Sequence, residues 1–140
     1  MQVLERPPID VEAYLADLDD IPGTYIFDAK RARAGFHMNQ FAMSLMKEEN
    51  RTRWKADERS YLAEWTLSDE QRDAILARDY NRCLELGGNI YFLVKIASTD
   101  GLSTLQCVST MSGLDIESYR AMMIAGGRSP DGNRSIKEKR

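Results

Sequence analysis

The residues in this 140-residue sequence that could do chemistry are one histidine, His37, two cysteines, Cys83 and Cys107, and a scatter of carboxylates. A two-histidine, one-carboxylate iron site needs a second imidazole, as do most zinc sites, so such a metal is not expected on this chain's own side chains. A nucleophilic thiol needs a base beside it. His37 could serve Cys83 or Cys107, but no local pattern marks either cysteine as activated, and a buried small hydrophobe is the simpler identity for both. Without CxxC spacing or a secretory context, no disulfide framework is expected. Neither a glycine-rich phosphate loop nor a Gly-x-Ser-x-Gly elbow is present. What remains is the inventory of a binding or accessory chain.

The segment with the most unusual composition spans residues 87–101, glycine-bracketed and the most apolar in the chain. Between Ile90 and Ala97 only Lys95 is polar, so as a helix it would be apolar around most of its circumference. With Ile90, Leu93, Val94 and Ala97 facing the chain's own core, Phe92 and Ile96 are left pointing outward, toward another protein. The same run also fits a buried strand. Residues 24–27 and 105–108 would then be its partners in a small sheet, and periodicity does not separate the two for so short a run.

The remaining elements read as helices. Asp10 caps a first helix through Val11, Tyr14, Leu15 and Leu18 that ends near Asp20; residues 21–24, Ile-Pro-Gly-Thr, spell a type II turn. From Asp28 a longer helix carries the stripe Met38, Phe41, Ala42, Leu45 and Met46, with His37, Asn39 and Gln40 beside it as a partner-facing edge. Asn50 caps the next helix, with Trp54, Tyr61, Leu62 and Trp65 on its apolar face and Arg53 spaced to pair with Asp57. Ser68 and Gln71 form a capping box, opening a helix that runs through Ile75, Leu76, Tyr80 and Cys83 to Gly87 and Gly88. Residues 102–111 fit either a short helix or a strand. Asp115 caps a last helix closed by Gly126 and Gly127.

These elements predict a mostly α fold, a single small domain of about five to seven helices: an extended lead-in over 1–9, the helical domain over 10–127 and a basic tail over 128–140. Apolar residues make up 43% and charged residues 29%, as in ordinary soluble domains. The net charge of −3 divides into a +3 tail and a −6 body, which argues against nucleic acid as a partner. The longest uncharged apolar run is far too short to cross a bilayer, and the N-terminal residues lack a signal-peptide pattern, so no membrane and a cytoplasmic location are expected.

Six blocks then carry a resemblance: Asp19-Asp20-Ile21-Pro22-Gly23-Thr24, residues 39–47, residues 76–81, residues 87–93, Ser98-Thr99-Asp100-Gly101, and Met122-Met123-Ile124 with Gly126-Gly127-Arg128-Ser129-Pro130. In order and at matching spacing, from about residue 9 to residue 137, they resemble the small (alpha) subunit of the protocatechuate 4,5-dioxygenase family of extradiol ring-cleavage enzymes. The resemblance implies a helical, non-catalytic subunit that packs on a larger beta subunit. That beta subunit binds Fe(II), and this chain covers its active site in an alpha2beta2 assembly that opens protocatechuate at the 4,5 bond with O2.

By position in that resemblance, Tyr91, Phe92, Ser98, Thr99, Asp100, Thr104 and Leu105 are expected nearest the aromatic substrate. Phe92, Ile96, His37, Asn39 and Gln40 are expected at the subunit interface. One departure stands out: members of the family carry aromatic side chains after Thr99-Asp100-Gly101, where this sequence has Leu102-Ser103-Thr104-Leu105. If the turn borders the pocket, the loss widens it and brings gallate or methylgallate into range; unchanged specificity stays open. The alternative reading is a helical interaction or regulatory module without an enzymatic role, using the region of Arg31 and Arg33.

Overall fold

Three of the helices that read as continuous in sequence are each split once, at Gly35, Asp57 and Arg78. The computed structural model describes residues 7–16, 18, 19 and 25–128, which form ten α-helices and no strand. The helix-or-strand ambiguities at 90–97 and 102–111 both resolve as helix. The described residues fall into two compact units: residues 27–127, and the segments before Phe27 and after Gly127. The latter holds α1 (Val11–Ala16), where Asp10 Oδ1 accepts from the Ala13 N–H at 3.1 Å. That helix buries no residue and stops short of Asp20. The expected turn over 21–24, residues 1–6 of the lead-in and the tail over 129–140 lie outside the described residues.

The larger unit begins with α2 (Ala29–Ala34), capped by Asp28, and α3 (Phe36–Ser44). They separate at Gly35 because the backbone there lies against Gly87: a Cβ on Gly35 would sit 1.8 Å from the Gly87 carbonyl oxygen. Of the predicted stripe, Met38, Phe41, Ala42 and Leu45 are buried, whereas Met46 is 60% exposed because α3 has already ended. Asn50 does not cap α4 (Glu48–Ala56), whose N-cap is Lys47. Its Nδ2 instead donates to the Ser44 carbonyl, and the Arg51 Nη1 donates to those of Leu45 and Met46. The pair thereby closes the open carbonyl end of α3.

Asp57 ends α4 and starts α5 (Glu58–Ala63), its carboxylate accepting from the Ser60 N–H and hydroxyl at 3.1 and 2.7 Å. A short acidic side chain that can bond nearby backbone favours a cap over a helix interior. The Arg53–Asp57 pair therefore does not form, and Arg53 pairs with Glu64. The Ser68–Gln71 capping box opens α6 (Asp69–Leu76) with both bonds at 3.1 Å. We expect Ser68→Ala to lower stability by about 1 kcal/mol, read from a urea unfolding midpoint. At Arg78 (φ 55) the chain turns left-handed before α7 (Tyr80–Glu85), which Gly87 (φ 101) and Gly88 close as expected. Then follow α8 (Ile90–Thr99), α9 (Thr104–Ser112) and α10 (Ile116–Ile124).

The core gathers where α3 crosses α8. Phe41 stacks near Trp54 with centroids 5.0 Å apart, and Trp65 and Tyr61 complete the aromatic cluster. Leu93 and Ile96 are fully buried against it, each burial contributing about 1.5–3 kcal/mol. Cys83 and Cys107 are buried free thiols, and burial pushes that of Cys83 up to about 12, so it is inert as a nucleophile.

Candidate functional site

The side of α8 that faces the core is rotated from the one its sequence implies. Leu93, Ile96, Ala97 and Thr99 are buried, while Ile90 and Val94 are only half-buried. Ile96, expected at the subunit interface, has no exposed surface, and Phe92 is half-buried against the core. With Asn89 as the cap, its side chain accepting from the Tyr91 N–H at 2.9 Å, the buried stripe runs along 93, 96 and 97. The aromatic side chain this leaves outward is that of Tyr91, 78% exposed.

Asn39, also expected at the interface, is buried instead. Its Nδ2 donates to the Gly87 carbonyl at 3.1 Å and its Oδ1 accepts from the Asn89 N–H at 2.9 Å. This one amide thus bolts α3 to the α7–α8 connection, satisfying two backbone groups that the glycine crossing would otherwise orphan. His37 and Gln40 do lie at the surface, and the His37 ring meets that of exposed Phe36 edge-on at 5.2 Å.

At the far end of α8 the expected pocket residues part company. Ser98, Asp100 and Thr104 are exposed and Leu105 is half-buried. Thr99 is buried, with its hydroxyl donating to the Lys95 carbonyl at 2.7 Å, so it supports the helix rather than facing outward. The turn is closed by Gly101 (φ 86), whose N–H donates to Ser98 O, and by the Leu102 N–H bonding to Ala97 O. Tyr91 lies about 10 Å away along the helix axis, so these residues form two patches.

A residue that sequence reasoning missed ties the turn down. Arg78 Nε and Nη2 grip both oxygens of Asp100 at 2.7 and 3.0 Å, while Nη1 and Nη2 bond Glu58. The guanidinium also lies 5.2 Å over the Trp54 ring. The available signal was Asp79, three residues before Arg82 and capping it, which marks a helix start inside an apparently continuous helix.

A cavity of about 470 Å³ opens elsewhere, lined by Arg59, Leu62, Asp69, Arg72, Asp73 and Leu76, and includes none of the residues expected at the substrate pocket or the subunit interface. Among the described residues no three His, Cys, Asp or Glu side chains converge as metal ligands. Among them, too, no helix is long and apolar enough to cross a membrane.

Residues 38–124 match the family model described as "Aromatic-ring-opening dioxygenase LigAB, LigA subunit". The chain belongs to the LigA family. It is also 26% identical over 117 residues to a protein named gallate dioxygenase from Pseudomonas putida (strain KT2440), a match covering 84% of this chain and 34% of that relative. The chain thus spans about a third of the curated relative's length. The LigA-family stretch starts inside α3 and ends on the last residue of α10. It therefore contains the Asn39 bolt, the Arg78 clamp and an α10 that buries none of its residues, with Met123 51% and Ile124 81% exposed.

Proposed function

We propose that this LigA-family chain is the non-catalytic small subunit of an Fe(II)-dependent extradiol dioxygenase acting on a catechol carboxylate of the protocatechuate or gallate type. The observation that carries the reading is the family match across residues 38–124, whose description is of one subunit of a ring-opening enzyme. The name of the Pseudomonas relative supports the substrate class, with gallate as favoured as protocatechuate. Two thirds of that relative lies outside the matched stretch, in keeping with iron ligation by a segment other than these residues. We assign the iron to a large beta subunit, with two copies of each chain in the assembly.

In this account the chain's own task is cover. Tyr91, Phe36, Met123 and Ile124 are exposed apolar or aromatic surface of the kind that becomes the centre of a stable interface. The α8–α9 turn is assigned to the mouth of the substrate pocket. Closing that mouth excludes water and strengthens polar contacts to the bound catechol.

The test is co-purification with the large subunit, followed by a ring-opening assay on protocatechuate and gallate. The two chains are expected to co-elute and turn over, and this chain without its partner is expected to leave both substrates intact. Ring opening by this chain alone, or separate elution, overturns the reading.

A further inference from the structure

The Arg78 side chain, reaching from a strained backbone to the end of α8, is more than a structural ion pair. At φ 55 it occupies the position after a helix end where glycine turns left-handed without cost, and its neighbours form the full capping pattern, with Arg78 N–H to Ile75 O and Asp79 N–H to Ala74 O. An arginine kept in that conformation brings a side chain that glycine lacks. Asp100, which it grips, is the C-cap of α8, where a negative charge opposes the helix dipole. The opposing cation makes a carboxylate there tenable. Both Asp100 oxygens are held, and the same guanidinium is anchored to Glu58 at the first turn of α5 and lies over the Trp54 ring. Directly after Asp100 come Gly101, half-buried Leu102 and Ser103, the last of which caps α9.

We infer that Arg78 is a positioning residue that sets the Asp100–Thr104 turn against the catechol in the assembled dioxygenase, governing substrate affinity without touching substrate. This rests on the function proposed above. The clamp spans three segments, so its loss frees the turn while leaving the buried core in place.

Arg78→Gly is the informative variant, because glycine suits the backbone there and the clamp is lost; Glu58→Gln, which weakens the guanidinium's other anchor away from the turn, makes the same comparison should R78G not fold. In the full chain alone, amide exchange at Gly101 and Leu102 is expected to quicken by about tenfold. In the complex with the large subunit, KM for protocatechuate or gallate is expected to rise by about tenfold with kcat nearly unchanged, the signature of lost uniform binding. Arg78→Lys is expected to fall between, since an ammonium cannot hold the carboxylates in the same planar fork. Unchanged exchange at the turn overturns the clamp, and faster exchange with unchanged KM reduces it to a structural role and overturns the inference. Failure of the functional reading shows separately: wild-type chain would then leave the large subunit's ring opening unaltered, and the inference falls with it.

Discussion

Gly35→Ala is expected to destabilise the chain by more than about 3 kcal/mol, a large part of the 5–15 kcal/mol that holds a small domain together. The added Cβ would meet the oxygen and carbon of Gly87 at 1.8 and 2.2 Å, and both are backbone atoms. No rotamer change relieves that clash, so α3 must lift from the α7–α8 connection. Lifting it breaks both hydrogen bonds of Asn39, which span the same seam. Gly113→Ala is the control. Its φ of 75 also disfavours a side chain, but nothing lies within 4 Å of the added atom, so a cost of about 1 kcal/mol is expected. Urea midpoints of the two variants check the difference.

Ile96→Asp is expected to unfold the isolated chain, at a cost of about 4 kcal/mol or more, since it buries an unpaired carboxylate at a site with no exposed surface. Tyr91→Asp, on the opposite side of the same helix, is expected to leave the melting temperature of the isolated chain nearly unchanged and to weaken assembly instead. Circular dichroism melts separate the two outcomes. A folded, stable Ile96→Asp chain would mean that α8 is rotated from the facing described here.

That facing shows where the sequence stopped being legible. A segment apolar on nearly all sides offers more than one stripe at helical spacing, and Ile90-Leu93-Val94-Ala97 differs from Leu93-Ile96-Ala97 by a small rotation that only the packed neighbours decide. Local signals carried further: Asp10, Ser68 and Asp115 cap the helices they were expected to cap, and Met38, Phe41 and Ala42 are core. The Ser103–Gln106 capping box was equally present to be read and identifies α9 as a helix. The splits at Gly35 and Arg78 were harder, because each answers to a residue distant in sequence: Gly87 for the first, Asp100 and Glu58 for the second. Among the candidate site residues, Asn39 is drawn inward by two backbone groups across the seam between α3 and the α7–α8 connection, and the Thr99 hydroxyl turns back to the Lys95 carbonyl of its own helix, neither of which local sequence reveals.

The function proposed above joins these observations into one account, in which a helical LigA-family chain with a well-packed centre, an outward Tyr91 and an α10 that buries none of its residues covers another subunit's site. Titrating the chain into the iron-loaded large subunit while following catechol ring opening tests this most directly. The account predicts a rate that climbs by about tenfold or more and levels off at one chain per large subunit; a rate indifferent to added chain would contradict it.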